Sequence, residues 1–107
     1  MTRERSELLR EALVHLELAE QYAAGEHLDQ RDVDAICMRL SAGIEVLARL
    51  EEPDRDRIFG GDWRLMWGMR NRIAHGYLLV DEEIIRETAR IDLPAMIRNV
   101  VDDLNRT

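Results

Sequence analysis

Three long stretches of the chain place apolar residues at the spacing of amphipathic helices. They extend from about Glu4 to Ala24, from about Asp32 to Leu50 and from about Asp81 to Leu104. The second stretch has the most regular pattern, with apolar residues or glycine at Val33, Ile36, Leu40, Gly43, Ile44, Leu47 and Leu50. The pattern predicts three long helices, of which the first ends at Gly25 and the second at Pro53.

Residues 52–80 are less regular than the rest of the chain. Gly60-Gly61-Asp62 predicts a turn followed by a helix N-cap. Trp63–His75 then predicts a fourth helix, which ends at Gly76. The apolar residues 77–80 form a short connection to the third long stretch.

The third long stretch changes phase near Asp92-Leu93-Pro94. Before this point the pattern favours Ile84, Thr88 and Ile91 as the inward positions. After it the pattern follows Leu93, Ile97, Val100 and Leu104. Proline is favoured in a first helical turn, so we expect a kink or a fresh helix start there.

Composition supports a single helical domain that comprises residues 1–107. Apolar residues make up 46% of the chain, and 6 Gly and 2 Pro are too few for an all-β chain rich in tight turns. The fold prediction is an all-α antiparallel bundle of four to five helices. Residues 65–69 are apolar on every side of the predicted fourth helix, which favours a homodimer that buries the excess surface. Alternatively, this helix is simply the central one of the bundle.

The sequence also restricts the location of the protein and the kinds of site it can hold. The charged N-terminal segment does not resemble a signal peptide, and no apolar run reaches the length of a membrane helix. We therefore expect a cytoplasmic protein. The lone Cys37 excludes an intramolecular disulfide and is interpreted as a packing residue. No cofactor or metal site is predicted, and Asp102-Asp103 reads as a solvated face.

Charge is distributed unevenly along the chain. The net charge is −7, but residues 55–76 contain five Arg and two Asp, a net charge of +3. All 15 basic residues are arginine. A nucleic acid would be attracted to this basic segment and repelled elsewhere, whereas the acidic remainder equally suits a protein partner with a basic surface.

The candidate chemistry lies in the predicted fourth helix, around His75. Asn71 and Arg72 precede His75 by four and three residues, so both project from its side of the helix. Gly68 and Arg64 continue the same side. Arginine can neutralise charge on a phosphodiester while histidine transfers a proton, a combination sufficient for metal-independent RNA cleavage. The plainer alternatives are a helix-capping histidine and a solvated arginine face.

Arg70 fits this arrangement less well. It precedes His75 by five residues, which places the two side chains about 140° apart on an ideal helix. Three explanations remain open. The helix loosens before Gly76, the long Arg70 side chain swings across, or each residue meets a second subunit. Periodicity alone would choose Arg72 as the catalytic arginine.

The segment from Asp62 to Asp81, followed by Asp92-Leu93-Pro94, resembles the HepT-like toxins of the HEPN superfamily. That family carries an arginine, four residues, a histidine, one residue and a tyrosine. Arg70, His75 and Tyr77 match these three positions here. The resemblance extends over essentially the whole chain.

The resemblance implies a homodimeric all-α bundle in which the motifs of two subunits meet at the interface. It implies a metal-independent endoribonuclease, the toxin of a bacterial type VII-like toxin–antitoxin pair. Arg70 and His75 would be catalytic, with Asn71, Arg72 and Arg64 assisting or binding RNA. The partner would be an MntA-like minimal nucleotidyltransferase, which neutralises the toxin by AMPylation of the motif tyrosine, here Tyr77.

Two further interpretations remain open at this stage. In the first, the protein is a non-catalytic helical dimer that serves as binding partner or substrate of a nucleotidyltransferase. In the second, it is a scaffold whose motif only packs the interface. Cleavage of RNA by the purified protein in the presence of a chelator separates the ribonuclease from both.

Overall fold

The computed structural model describes residues 3–76 and 81–106, in which helices are joined by short connections and no strand is present. The elements in chain order are α1 (Arg5–Tyr22), α2 (Gln30–Leu47), α3 (Glu52–Phe59), α4 (Asp62–Gly76), α5 (Glu82–Glu87), a π-helical turn (Thr88–Asp92) and α6 (Leu93–Leu104). The prediction of an all-α bundle is confirmed. The predicted connection at residues 77–80 lies outside the described residues.

Helix α2 forms the centre of the bundle and packs against α1, α4 and α5. A capping box begins it, in which the Asp29 carboxylate accepts the Asp32 N–H and the Asp32 carboxylate accepts the Asp29 N–H. The whole apolar stripe predicted for this helix is buried. Cys37 is also buried, which raises the pKa of its thiol to about 11 and confirms its interpretation as a packing residue.

The prediction that Pro53 ends α2 is wrong. Helix α2 ends at Leu47, and Pro53 lies in the first turn of α3, a short helix that the sequence pattern did not predict. Proline is tolerated there because the first N–H groups of a helix have no intrahelical partner. The Arg55 guanidinium donates hydrogen bonds to the Ala48 and Leu50 carbonyls, which satisfies acceptors beyond the end of α2.

A tight turn at Gly60 joins α3 to α4. Gly60 has φ +56°, a backbone conformation in which a side chain would be strained, and its N–H donates to the Asp56 carbonyl. Helix α4 follows from Asp62, one residue before the predicted start. Its buried residues are Met66 and Ile73, so that only one narrow side of α4 enters the core.

The predicted phase change in the third stretch is a π-helical turn rather than a break. Backbone angles remain helical at Thr88, Asp92 and Leu93, and the Leu93 N–H bonds to the Thr88 carbonyl five residues earlier. The wider turn inserts one residue and rotates the inward side of the helix. Ile84 and Ile91 are exposed, contrary to the predicted phase, while Thr88 and the later stripe face inward as expected.

The reading of Asp102-Asp103 as a solvated face is wrong for Asp103. Its side chain is only 5% exposed. Arg5 from α1 and Arg57 from α3 both donate to its carboxylate, and Arg57 Nη2 lies 3.1 Å from Oδ2. Burial by itself would raise the pKa of Asp103, but the hydrogen bonds and charges of the two arginines outweigh it, so that this pKa lies below its ordinary value. Asp103 thus ties α1, α3 and α6 together.

No helix within residues 3–76 and 81–106 is long and apolar enough to cross a membrane.

Substitution of Asp103 by Asn should lower the free energy of unfolding at pH 7 by about 2 kcal/mol, because it replaces the charged acceptor of two partly exposed arginines by a neutral group. Because the pKa of Asp103 is lowered, the difference in the free energy of unfolding between the wild type and this variant should stay constant from pH 7 to about pH 5. It should become progressively smaller below about pH 4, as the carboxylate gains a proton. Urea unfolding across this pH range measures the difference.

Asp102→Asn is the matched control, because Asp102 is exposed on the same helical turn. It should change the free energy of unfolding by no more than about 0.5 kcal/mol. Equal effects of the two substitutions would contradict the role assigned to Asp103.

Candidate functional site

Helix α4 carries most of the candidate residues, and it presents them on two different sides. Trp63, Trp67 and Arg70 follow one another at helical spacing on the side towards α2 and α3. Arg64, Gly68, Arg72 and His75 follow a second line, and the first three line a groove on the other side of the helix. The spacing argument therefore agrees with the structure for Arg64, Gly68 and Arg72.

The side towards α2 fixes the guanidinium of Arg70. Nε of Arg70 donates to Oε1 of Glu45 on α2 over 2.9 Å, and Nη2 donates to the same oxygen. The guanidinium carbon also lies 4.9 Å from the centroid of the Trp67 ring, a cation–π contact. Nη1 donates to the Asn71 side-chain oxygen over 3.1 Å. Arg70 is thus held by contacts with Glu45, Trp67 and Asn71, and 24% of its side chain is exposed.

A row of aromatic rings supports this position of Arg70. The Trp67 ring stacks on Trp63 with a centroid distance of 5.9 Å, and Trp63 in turn lies 6.1 Å from Phe59. Arg55 covers the outer end of the row, 5.2 Å from the Trp63 centroid. Because α3 contributes Phe59 and Arg55, this short helix fixes the aromatic side of α4.

The opposite side of α4 borders a groove of about 410 Å³, which we call the α4 groove. Arg64, Gly68 and Arg72 form one wall, and the π-helical turn and α6 form the other. A Cβ built on Gly68 would meet nothing within 4 Å, so the backbone is open there. Leu65 at the rim is 72% exposed, which gives the groove an apolar edge next to its arginines.

The π-helical turn was not recognised from the sequence as part of this groove. Thr88 and Asp92 from the turn and Asn99 from α6 supply polar groups opposite α4. Turns of this kind occur often at functional sites. The available signal was the phase change before Pro94, which predicted an irregularity in the helix but not the surface that it borders.

His75 and Arg70 do not meet within one chain. His75 is exposed in the last turn of α4, on the line of Arg72, whereas Arg70 is directed towards Glu45. Asn71, expected on the side of His75, instead contacts Arg70. Of the three explanations for the angular separation, the long Arg70 side chain does not swing across. Tyr77 lies outside the described residues.

Two of the five arginines in residues 55–76 form ion pairs: Arg57 binds Asp103 and Asp54, and Arg70 binds Glu45. Within residues 3–76 and 81–106, the side chains of Arg64 and Arg72 form no ion pair or hydrogen bond, and both residues are exposed. The groove-facing pair is therefore the part of the basic segment best able to receive an anion such as a phosphodiester.

The other histidines lie apart from this region. His15 is partly buried, with Nδ1 3.1 Å from Nη1 of Arg39, and His27 is exposed between α1 and α2. In the part of the chain that the structure describes, no three His, Cys, Asp or Glu side chains are grouped so that they could hold a metal ion.

Comparison with known protein families identifies a match. The sequence profile of a family described as "Ribonuclease HepT-like" matches residues 7–102. No curated protein and no solved structure matches the chain.

The two groove arginines should contribute to binding of single-stranded RNA. Arg64→Ala and Arg72→Ala should each weaken binding of a 2′-O-methyl RNA oligonucleotide. This probe has no free 2′-hydroxyl to act as a nucleophile, so it stays intact during the measurement. Each loss should also reduce the slope of log Kd against log salt by about 0.7, the contribution of one phosphate contact on a single strand. Fluorescence anisotropy at several salt concentrations measures both effects.

Arg10→Ala is the matched control, because it removes the same charge from the exposed side of α1. If it changed affinity and salt slope as much as the groove substitutions, the attraction would be a property of overall charge and not of the groove.

Proposed function

Because this chain belongs to the HepT-like ribonuclease family, we propose that it is a metal-independent endoribonuclease toxin of a bacterial type VII-like toxin–antitoxin pair. Arg70 and His75 are the catalytic residues, and Asn71, Arg72 and Arg64 position the RNA. The observation that supports this assignment best is that Arg64 and Arg72, which form no ion pair with another described residue, lie beside the open backbone at Gly68. His75 follows the same line of residues along α4.

The proposed reaction uses the 2′-hydroxyl of RNA as its nucleophile. The 2′-oxygen forms a bond to phosphorus while the bond from phosphorus to the 5′-oxygen breaks. The 2′-hydroxyl loses a proton and the departing 5′-oxygen gains one, which leaves a 2′,3′-cyclic phosphate and a 5′-hydroxyl. His75 acts as general acid or base, and Arg70 stabilises the charge that develops on the phosphate.

The active unit in this proposal is a homodimer with a composite site. Arg70 and His75 lie on different sides of α4, so a single chain does not bring them together. Leu65 at the rim of the α4 groove is 72% exposed and supplies apolar surface that a second copy can bury. The proposal requires a two-fold arrangement in which the Arg70 of one subunit lies near the His75 of the other, while Arg64 and Arg72 stay accessible to RNA.

The proposed partner is an MntA-like nucleotidyltransferase that transfers AMP to Tyr77. AMP groups next to Arg70 and His75 would exclude RNA by volume and by negative charge. The family match supports a toxin–antitoxin context, while the identity of the partner and the modification are part of the proposal.

Arg70→Ala should reduce the rate of RNA cleavage by about 10²- to 10³-fold and His75→Ala by about 10²- to 10⁴-fold, the usual contributions of an oxyanion-stabilising group and of a general acid or base. Excess EDTA should leave the wild-type rate unchanged. Cleavage of a labelled RNA, with detection of the cyclic phosphate, measures these rates.

His27→Ala is the control for loss of an exposed histidine and should retain full activity.

Mixing the inactive Arg70→Ala and His75→Ala proteins tests the composite site, since about half of the dimers in an equal mixture then contain one chain of each. Activity should reappear on mixing. A fully active His75→Ala protein would refute the mechanism, and failure of the mixture to recover would refute the shared site. A wild-type protein that does not cut RNA would favour the non-catalytic binding partner.

Co-expression with a neighbouring nucleotidyltransferase gene should add whole AMP units to the intact mass of the protein. Tyr77→Phe should abolish the increment, because the phenolic oxygen is the acceptor. Tyr22→Phe is the matched control, since Tyr22 is exposed at the end of α1, and it should keep the increment. An increment that persists in Tyr77→Phe would place the modification elsewhere.

A further inference from the structure

We propose that Glu45 is a positioning residue for Arg70: it holds the guanidinium in the orientation that receives the scissile phosphate. This inference rests on the proposed function, because it assigns Glu45 a role in the same reaction. Glu45 lies on α2, 25 positions before Arg70 in the sequence.

The hydrogen bonds of Arg70 leave a usable part of the guanidinium free. The group has five N–H donors. Glu45 accepts from Nε and Nη2 through a single carboxylate oxygen, and Asn71 accepts from Nη1. One N–H therefore remains on each of the two terminal nitrogens. Two such donors can bind two phosphate oxygens at the same time.

Glu45 is well placed to act as a fixed anchor. Its neighbours Ile44 and Val46 are 0% and 6% exposed, so that the backbone of α2 is held in the core at this point. The Glu45 side chain itself is 46% exposed and reaches out of the core to Arg70. A carboxylate on a buried helix can thus fix an arginine on the surface helix α4.

The Trp67 ring completes the restraint. The guanidinium carbon of Arg70 lies over this ring at 4.9 Å from its centroid, while Glu45 holds one edge of the group. The ring and the carboxylate therefore restrain the guanidinium together. A flexible arginine side chain is therefore ordered before RNA binds, which reduces the entropy that must be lost in the transition state.

The chain offers a closely matched control for a general ion-pair effect. Arg86 Nη2 lies 2.9 Å from Glu82 on α5, with side-chain exposures of 28% and 50%. The corresponding exposures for Arg70 and Glu45 are 24% and 46%. Glu82→Ala and Glu82→Gln thus remove an ion pair of the same chemical type and similar exposure, but not one that holds the catalytic arginine.

The first measurement is steady-state cleavage of RNA by Glu45→Ala, Glu45→Gln and the two Glu82 variants. Glu45→Ala should lower kcat by about 10- to 100-fold, the size of effect expected when a catalytic group is misplaced by about 1 Å. Glu45→Gln, which keeps a weaker acceptor, should be intermediate. KM should change less than twofold in both, and the Glu82 variants should match the wild type.

The second measurement does not depend on catalysis. The ¹⁵N–¹H signal of the Arg70 Nε–H group, assigned by its loss in Arg70→Ala, reports the hydrogen bond to Glu45. Glu45→Ala should shift this signal and accelerate its exchange with water, while Glu82→Ala should leave it unchanged. Urea unfolding should give the same midpoint for all variants, which separates positioning from loss of stability.

The outcomes distinguish this inference from the proposed function. If Arg70→Ala is inactive while Glu45→Ala cleaves like the wild type, the positioning role is refuted and the ribonuclease assignment stands. An increase in kcat for Glu45→Ala would mean that Glu45 obstructs Arg70, which also refutes the role. An unchanged Arg70 signal in Glu45→Ala would refute the contact itself. If the wild type does not cleave RNA, the proposed function fails, and the positioning role fails with it even where the signal shifts.

Discussion

The burial of α2 is the constraint on which the other helices depend. This helix packs against α1, α4 and α5, and its apolar stripe supplies the centre of the core. The approach of α1 is so close that a Cβ on Gly43 would lie 3.0 Å from a Leu16 methyl carbon. Because α2 is fixed in this way, a polar side chain that projects from it out of the core can reach a defined place on a neighbouring helix. Glu45 is such a side chain, and the place it reaches is Arg70.

Helix α4 is covered by the rest of the chain only in part. Met66 and Ile73 attach it to the core, and the aromatic row from Phe59 to Trp67 attaches it to α3. Its remaining side borders the α4 groove, which the π-helical turn and α6 close from the other side. The helix can therefore combine a rigid attachment with an open surface, the combination that a binding or catalytic site requires.

Charge pairing divides the arginines into two groups with different roles. Arg5 and Arg57 bind Asp103 and join distant parts of the chain, while Arg55 satisfies carbonyls after α2. Arg64 and Arg72 remain exposed at the groove. Asp62 and Asp92 also line this groove, so a chain with a net charge of −7 presents there two guanidinium groups that have no ion-pair partner among the described residues, and not a net positive surface.

Periodicity and spacing by themselves determined the helical class, the inward side of α2 and the shared line of Arg64, Gly68 and Arg72, because these are properties of one helix and its regular repeat. Tertiary structure decided the rest. The pairing of Glu45 with Arg70 and the burial of Asp103 between Arg5 and Arg57 join residues from different helices. Such contacts depend on how helices pack, and no pattern within a single helix encodes them.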